Sequence, residues 1–180
     1  VDICLEAEPT EADSIWVGRA YGEPGQVVSV EVSIRNSIPL RQIVIPFEFE
    51  GPLNLTFVGA STGGTRTAYF DEVSLTSIDE PNKRRTFTLR PSSIPFTRPD
   101  LPTGSGPVLL ISFHLPWGQP GAENQVTIRK AEFVNPVFES ACATYVPVVG
   151  TGGAVGLTCC DGRVGNVDCD PGGITDISDL

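Results

Sequence analysis

The stretch Val27-Val28-Ser29-Val30-Glu31-Val32-Ser33-Ile34-Arg35 decides the fold. Val28, Val30, Val32 and Ile34 fall on one side of an extended chain; Ser29, Glu31, Ser33 and Arg35 fall on the other. Successive side chains of a strand point to opposite faces, so one face is buried here and the other meets water. That is the signature of an antiparallel sandwich, not of a parallel sheet covered on both sides.

Outward from this strand the chain repeats the theme. Upstream, Gly22-Glu23-Pro24-Gly25 reads as a turn. Before it come a short strand around residues 15–19, an acidic loop with Glu8, Pro9, Glu11 and Asp13, and a first strand over residues 1–7. Downstream, Ile43, Ile45, Phe47 and Phe49 alternate with Val44, Pro46, Glu48 and Glu50. Pro46 has no N–H to give to a ladder, which predicts an edge or a bulge. A strand follows over 53–58. Residues 59–83 are rich in Gly, Ser and Thr, with at most a short strand at 67–70 or 73–77. Residues 84–89 form a strand with Phe87 and Leu89 inward, and 91–107 a long Pro/Gly loop. Residues 108–115 read as a central strand covered on both sides, 117–121 as a turn, and 126–131, 143–149 and 154–158 as closing strands. No segment carries a helical period, and short turn-delimited strands mean an all-β sandwich.

Composition narrows the function. Twelve basic against 22 acidic residues leave a net charge of −10, which repels nucleic acid and anionic lipid and suits calcium or a basic partner. No apolar run is long enough for a membrane helix, so no membrane insertion is expected. An opening at Val1 fits a processed chain. The five cysteines, Cys4, Cys142, Cys159, Cys160 and Cys169, contain no C-x-x-C pair, so they read as disulfide cysteines of a secreted or cell-surface protein. A Cys4–Cys142 bridge would tie the ends of the body, and Cys169 would reach Cys159 or Cys160. The connectivity stays open.

Catalysis finds no support. His114 is the single histidine and lies in an apolar strand, where it reads as a packed or edge residue. Glu48 and Glu50 share a solvated face without a cleft, so no glycosidase pair is indicated. Trp16, Tyr21, Tyr69, Trp117 and Tyr145 are dispersed and read as core or loop packing rather than as a sugar platform. Asn54-Leu55-Thr56 is an N-glycosylation sequon, making Asn54 a candidate site.

The acidic tail carries the one metal motif. Counted from Asp168 as position 1, carboxylates stand at 1, 3, 9 and 12 (Asp168, Asp170, Asp176, Asp179), with Gly173 at the sharp turn and Ile174 at the backbone-carbonyl position. Calcium takes six to eight oxygen ligands from such a loop, so calcium is the expected cofactor. Gly172 and Thr175 depart from the usual residues at positions 5 and 8.

Three stretches resemble the cohesin-like family of the carbohydrate-binding-module superfamily: GEPGQVVSVEVSIRN (22–36), LNLTFVG (53–59) and GSGPVLLISF (104–113). The resemblance implies a jelly-roll sandwich of about nine strands over residues 1–158. Residues 159–180 form an irregular appendage in which 165–180 resemble the first calcium loop of a dockerin, the module that docks onto cohesins. Other protein modules or copies of the chain itself are then the implied partners. The reading is a non-catalytic extracellular assembly or adhesion module. Its alternatives are a self-assembling fibre subunit that donates residues 1–7 as a strand, and a carbohydrate-binding module with polysaccharide as partner.

Overall fold

The computed structural model describes residues 13–92, 97–118, 121–130 and 135–158. The strand expected at 1–7, Cys4, Cys159, Cys160, Cys169 and the whole calcium loop lie outside the described residues. Thirteen strands run in chain order: β1 Ser14–Val17, β2 Arg19–Gly22, β3 Val27–Asn36, β4 Gln42–Glu50, β5 Thr56–Ser61, β6 Glu72–Asp79, β7 Arg84–Arg90, β8 Gly104–His114, β9 Glu123–Ile128, β10 Val137–Glu139, β11 Thr144–Tyr145, β12 Val148–Val149 and β13 Gly153–Leu157. They form two sheets. The first is ordered β12-β1-β3-β8-β5. In the second, β6 and β7 extend one edge of β4, while β10 with β11 and β9 with β13 and β2 share the other.

The alternation that defined β3 is what closes the sandwich. Val30, Val32 and Ile34 are fully buried, beside Leu109, Ile111 and Phe113 of β8 in the same sheet and beneath Ile43, Ile45, Phe47 and Phe49 of β4 and Phe87 and Leu89 of β7 in the other. Five phenylalanines hold the centre: Phe49 meets Phe113 edge-on at 5.0 Å, and Phe47 stacks on Phe87 at 6.0 Å, with Phe57 against both Phe47 and Phe113. Each buried Phe removes enough apolar area to contribute about 1.5–3 kcal/mol.

Several boundaries differ from the sequence reading, each for a local reason. The short strand at 15–19 is two strands, because Gly18 breaks the ladder and carries the chain from one sheet to the other. There β1 pairs in parallel with β12 and β2 in parallel with β13, so the sandwich is not antiparallel throughout. A Cβ on Gly153 would stand 1.7 Å from the Gly18 carbonyl oxygen, so only glycine permits this crossing. The 53–58 strand starts later, at Thr56, since Leu53 and Leu55 are drawn into the core as a loop. Residues 67–70 are a turn, and β6 is eight residues long despite its Ser/Thr content, because β7 supplies a full antiparallel partner. The loop from 91 ends at Gly104, where β8 begins against Asn36. The 143–149 strand is split into β11 and β12, and β10 was not anticipated at all. Short added segments of this kind raise the count from nine to thirteen.

Pro46 is not on an edge strand. Its carbonyl accepts the Arg129 N–H at 2.8 Å, so its missing N–H faces the gap where the neighbour of β4 changes from β10 to β9. The proline sits where the ladder is already interrupted.

Candidate docking face

The outward residues of β6, β7, β4 and β9 form a continuous face whose register sorts its chemistry. Across the middle run Ser74, Thr88, Val44 and Val137, then Thr86 and Pro46. Thr76, displaced by a bulge between Leu75 and Ser77, donates its hydroxyl to the Thr86 carbonyl at 3.1 Å. None of these side chains is charged. The charges stand toward the two ends, where most are paired; Glu50, beyond Glu48 on β4, makes no ion pair among the described residues. At one end Arg90 lies 3.6 Å from Glu72 and donates to Gln42 at 2.5 Å. At the other, Glu48 receives Arg84 at 3.1 Å and Arg129 at 3.4 Å, with Asp79 3.9 Å from Arg84. Glu48 is thus the hub of an ion cluster.

The β6–β7 turn is tightly made. Asn82 donates its side-chain amide to Asp79 at 2.8 Å, and Lys83 takes a left-handed backbone with φ 50°. The Asn82 hydrogen bond, helped by the Asn82 N–H and by the Arg84 and Arg129 charges, holds the Asp79 carboxyl below its ordinary value. Beside it Arg85 points inward. Its guanidinium lies 5.3 Å from the Phe57 ring and 5.9 Å from the Phe49 ring, and its charge is met by Glu80 at 2.6 Å. The buried base of the hairpin is therefore capped by a cation on aromatic faces.

The first sheet presents a different outer face. Ser29 and Ser112 share a hydroxyl hydrogen bond at 2.8 Å, but Glu31 stands in mid-face with no ion-pair partner among the described residues. His114 is exposed at the end of β8, between β3 and β5, so it is neither packed nor on a sheet edge.

Next to the charged Arg90 end of the docking face, a cleft of about 750 Å³ opens between the start of β4, Glu139 of β10 and the flanks of the 91–101 loop. Arg41, Arg90 and Arg98 contribute to its walls, as do Asp100 and Glu139. Arg98 is held by Asp71 at 2.7 Å. Ser92 and Thr97 hydrogen-bond to each other across the neck of that loop. These arginines are far apart in sequence, and only the strand pairing and the Leu40–Leu101 bridge bring them together. The strand expected at 84–89 stops one residue short of Arg90, and nothing in the sequence joined Arg90 to Arg41 or Arg98.

The other expected sites fall as follows. Asn54 is exposed and lies in the loop before β5, clear of the strand. Cys142 lies in the turn after β10, where its N–H meets the Ser140 hydroxyl, and its expected pairing lies outside the described residues. Tyr69 and Tyr145 are packed as expected, Tyr69 donating to the Asp100 carbonyl and Tyr145 to Asp13 at 2.5 Å. Burial keeps the Tyr69 phenol above its ordinary value. Trp117 and Tyr21 are not packed: Trp117 is 87% exposed and Tyr21 43%. Leu53, Leu115 and Leu157 already close the core beneath the Trp117 turn, and Tyr21 lies on the outer side of the short strand β2. The Tyr21 hydroxyl donates to Glu123 at 2.7 Å, which holds its pKa up. Among the described residues no group of three or more His, Cys, Asp or Glu could hold a metal ion, and no helix is long and apolar enough to cross a membrane.

No protein-family model matches the sequence, and no curated relative does. Solved structures do match. The sixth cohesin of scaffoldin B from Acetivibrio cellulolyticus, solved in complex with a mutant Cel5 dockerin, gives a TM-score of 0.61 at 16% identity, over 81% of this chain and 99% of that one. A type I cohesin from Clostridium thermocellum, also solved as a cohesin–dockerin complex, gives 0.61 at 11% identity over 85% and 98%. A non-cellulosomal cohesin from the archaeon Archaeoglobus fulgidus gives 0.59 at 14% identity over 81% and 91%. At such identities the likeness is one of fold. The chain is a two-sheet, all-β sandwich of cohesin-like fold.

Proposed function

We propose that this chain is a non-catalytic docking module of an extracellular assembly, and that it receives a dockerin-like partner on the outer face of β6, β7, β4 and β9. One observation carries the choice of face: its centre is uncharged and its charges stand toward the two ends, most of them paired. Protein interfaces are depleted of charge at the core and polar at the rim, because an unpaired charge costs several kcal/mol to bury. The first sheet would have to bury Glu31 to serve the same purpose. The fold adds weight, since neighbours of similar shape were solved with dockerins bound.

Other parts of the reading stand on sequence. A bridge from Cys142 to Cys4 would fasten the N-terminus to the β10–β11 turn. Asp168, Asp170, Ile174, Asp176 and Asp179 would bind calcium as part of a dockerin-type loop. A glycan on Asn54 would have room, since the side chain is exposed.

The test is capture on immobilised dockerin modules. Thr86→Arg, in the middle of the face, should weaken capture by at least about thirtyfold, the loss typical of a disrupted interface centre. Ser112→Arg on the other sheet should leave it unchanged. Equal effects of both, or of neither, would refute the assignment. Size-exclusion of the same samples reads self-association; a polymer that forms without dockerin would favour the fibre alternative.

A further inference from the structure

We propose that the cleft walled by Arg41, Arg90 and Arg98 is a carboxylate site that accepts an Asp or Glu side chain from a bound peptide. In a chain of net charge −10, three of only twelve basic residues meet in this one cavity. Arg41 carries the inference. Its Nε is buried without a hydrogen-bond partner, and it makes no ion pair among the described residues. Buried N–H groups are almost always satisfied in native proteins, and a guanidinium has donors only. The missing group is therefore an acceptor, and a planar carboxylate matches the guanidinium fork with two parallel hydrogen bonds.

The neighbours narrow the ligand. Arg90 is held by Gln42 and Glu72, and Arg98 by Asp71, so both walls are oriented before anything binds. Asp100 and Glu139 also line the cleft, and their like charge penalises a dianion such as phosphate more than a singly charged carboxylate. The cleft adjoins the Glu72–Arg90 end of the docking face, within reach of a partner lying there; this choice of carrier rests on the docking reading, whereas the carboxylate site does not.

Two arms of one NMR experiment separate these claims. Butyrate added to the whole chain should shift the Arg41 Nε–H resonance saturably, and neutral butyramide should not. Arg41→Gln should weaken butyrate about tenfold, the loss expected for a charge-assisted bond, with Arg41→Lys in between. Absence of the Arg41 shift in the native protein, or equal binding by Arg41→Gln, would overturn the site whether or not dockerin docks. In the second arm a blocked Asp-containing hexapeptide should bind more tightly than both its Asn counterpart and digalacturonate. Equal binding of the Asn peptide, or tighter binding of digalacturonate, would overturn the peptide assignment.

Discussion

The two sheets share one core but present opposite outer faces. The first leaves Glu31 in mid-face, opposite Leu110 and without an ion-pair partner among the described residues. The second gathers most of its charges into two end rows and leaves threonine, valine and proline between them. Their inner faces are equally apolar, so burial does not distinguish them; the placement of charge does. A sandwich folds on its inner residues and is free to vary its outer ones, which is where recognition is written.

Three measurements would break or sharpen that comparison. Phe47→Ala has the largest expected effect, about 3–5 kcal/mol, because the ring touches Phe49, Phe57 and Phe87 and a cavity would remain. Denaturant unfolding followed with hydrogen exchange should show both sheets lost together. Loss confined to the second sheet would mean that the core is not shared.

Asn124→Ala comes next. This fully buried amide accepts from the Leu53 N–H and donates to the Leu53 carbonyl, both at 2.8 Å, stitching the loop that crosses from β4 to β5. Leaving both backbone groups bare should cost roughly 2–4 kcal/mol. Faster exchange at Leu53 with β3 and β8 still protected would show that the crossing can loosen while the first sheet stays intact.

The smallest effect concerns pH. Asp79 has a lowered pKa in the folded state, so its contribution is present above the ordinary carboxyl value and fades as pH falls through the folded one. Asn82→Ala removes the main cause, and the acid limb of the stability curve should move slightly to higher pH. An unchanged acid limb would detach the turn from the ion cluster on the docking face.

Alternation made the interior legible. Val30, Ile34, Ile45, Phe47 and Phe87 could be assigned to the core from a period of two. Segments whose strand character comes from a partner were harder to read. β6 is largely polar and leaves Leu75 and Ile78 partly exposed, and it forms because β7 pairs with it. β10 is three residues long, too short for a period to appear. The Gly18 crossing looked like an ordinary glycine until its neighbour proved to be Gly153. The cleft was invisible for a related reason: Arg41, Arg90 and Arg98 meet only through long-range pairing. The docking face was half legible, since the outward set Arg84, Thr86 and Thr88 follows from the same alternation that places Phe87 and Leu89 inward.

The crossing at Gly18 has a mechanical side. It sets the first two strands of the described body beside its last two, each pair parallel. A load applied between Asp13 and Thr158 would draw these pairs past each other along their length, so their hydrogen bonds would resist together in shear rather than open one by one. A body pulled from both ends is well served by a seam that meets the pull in shear.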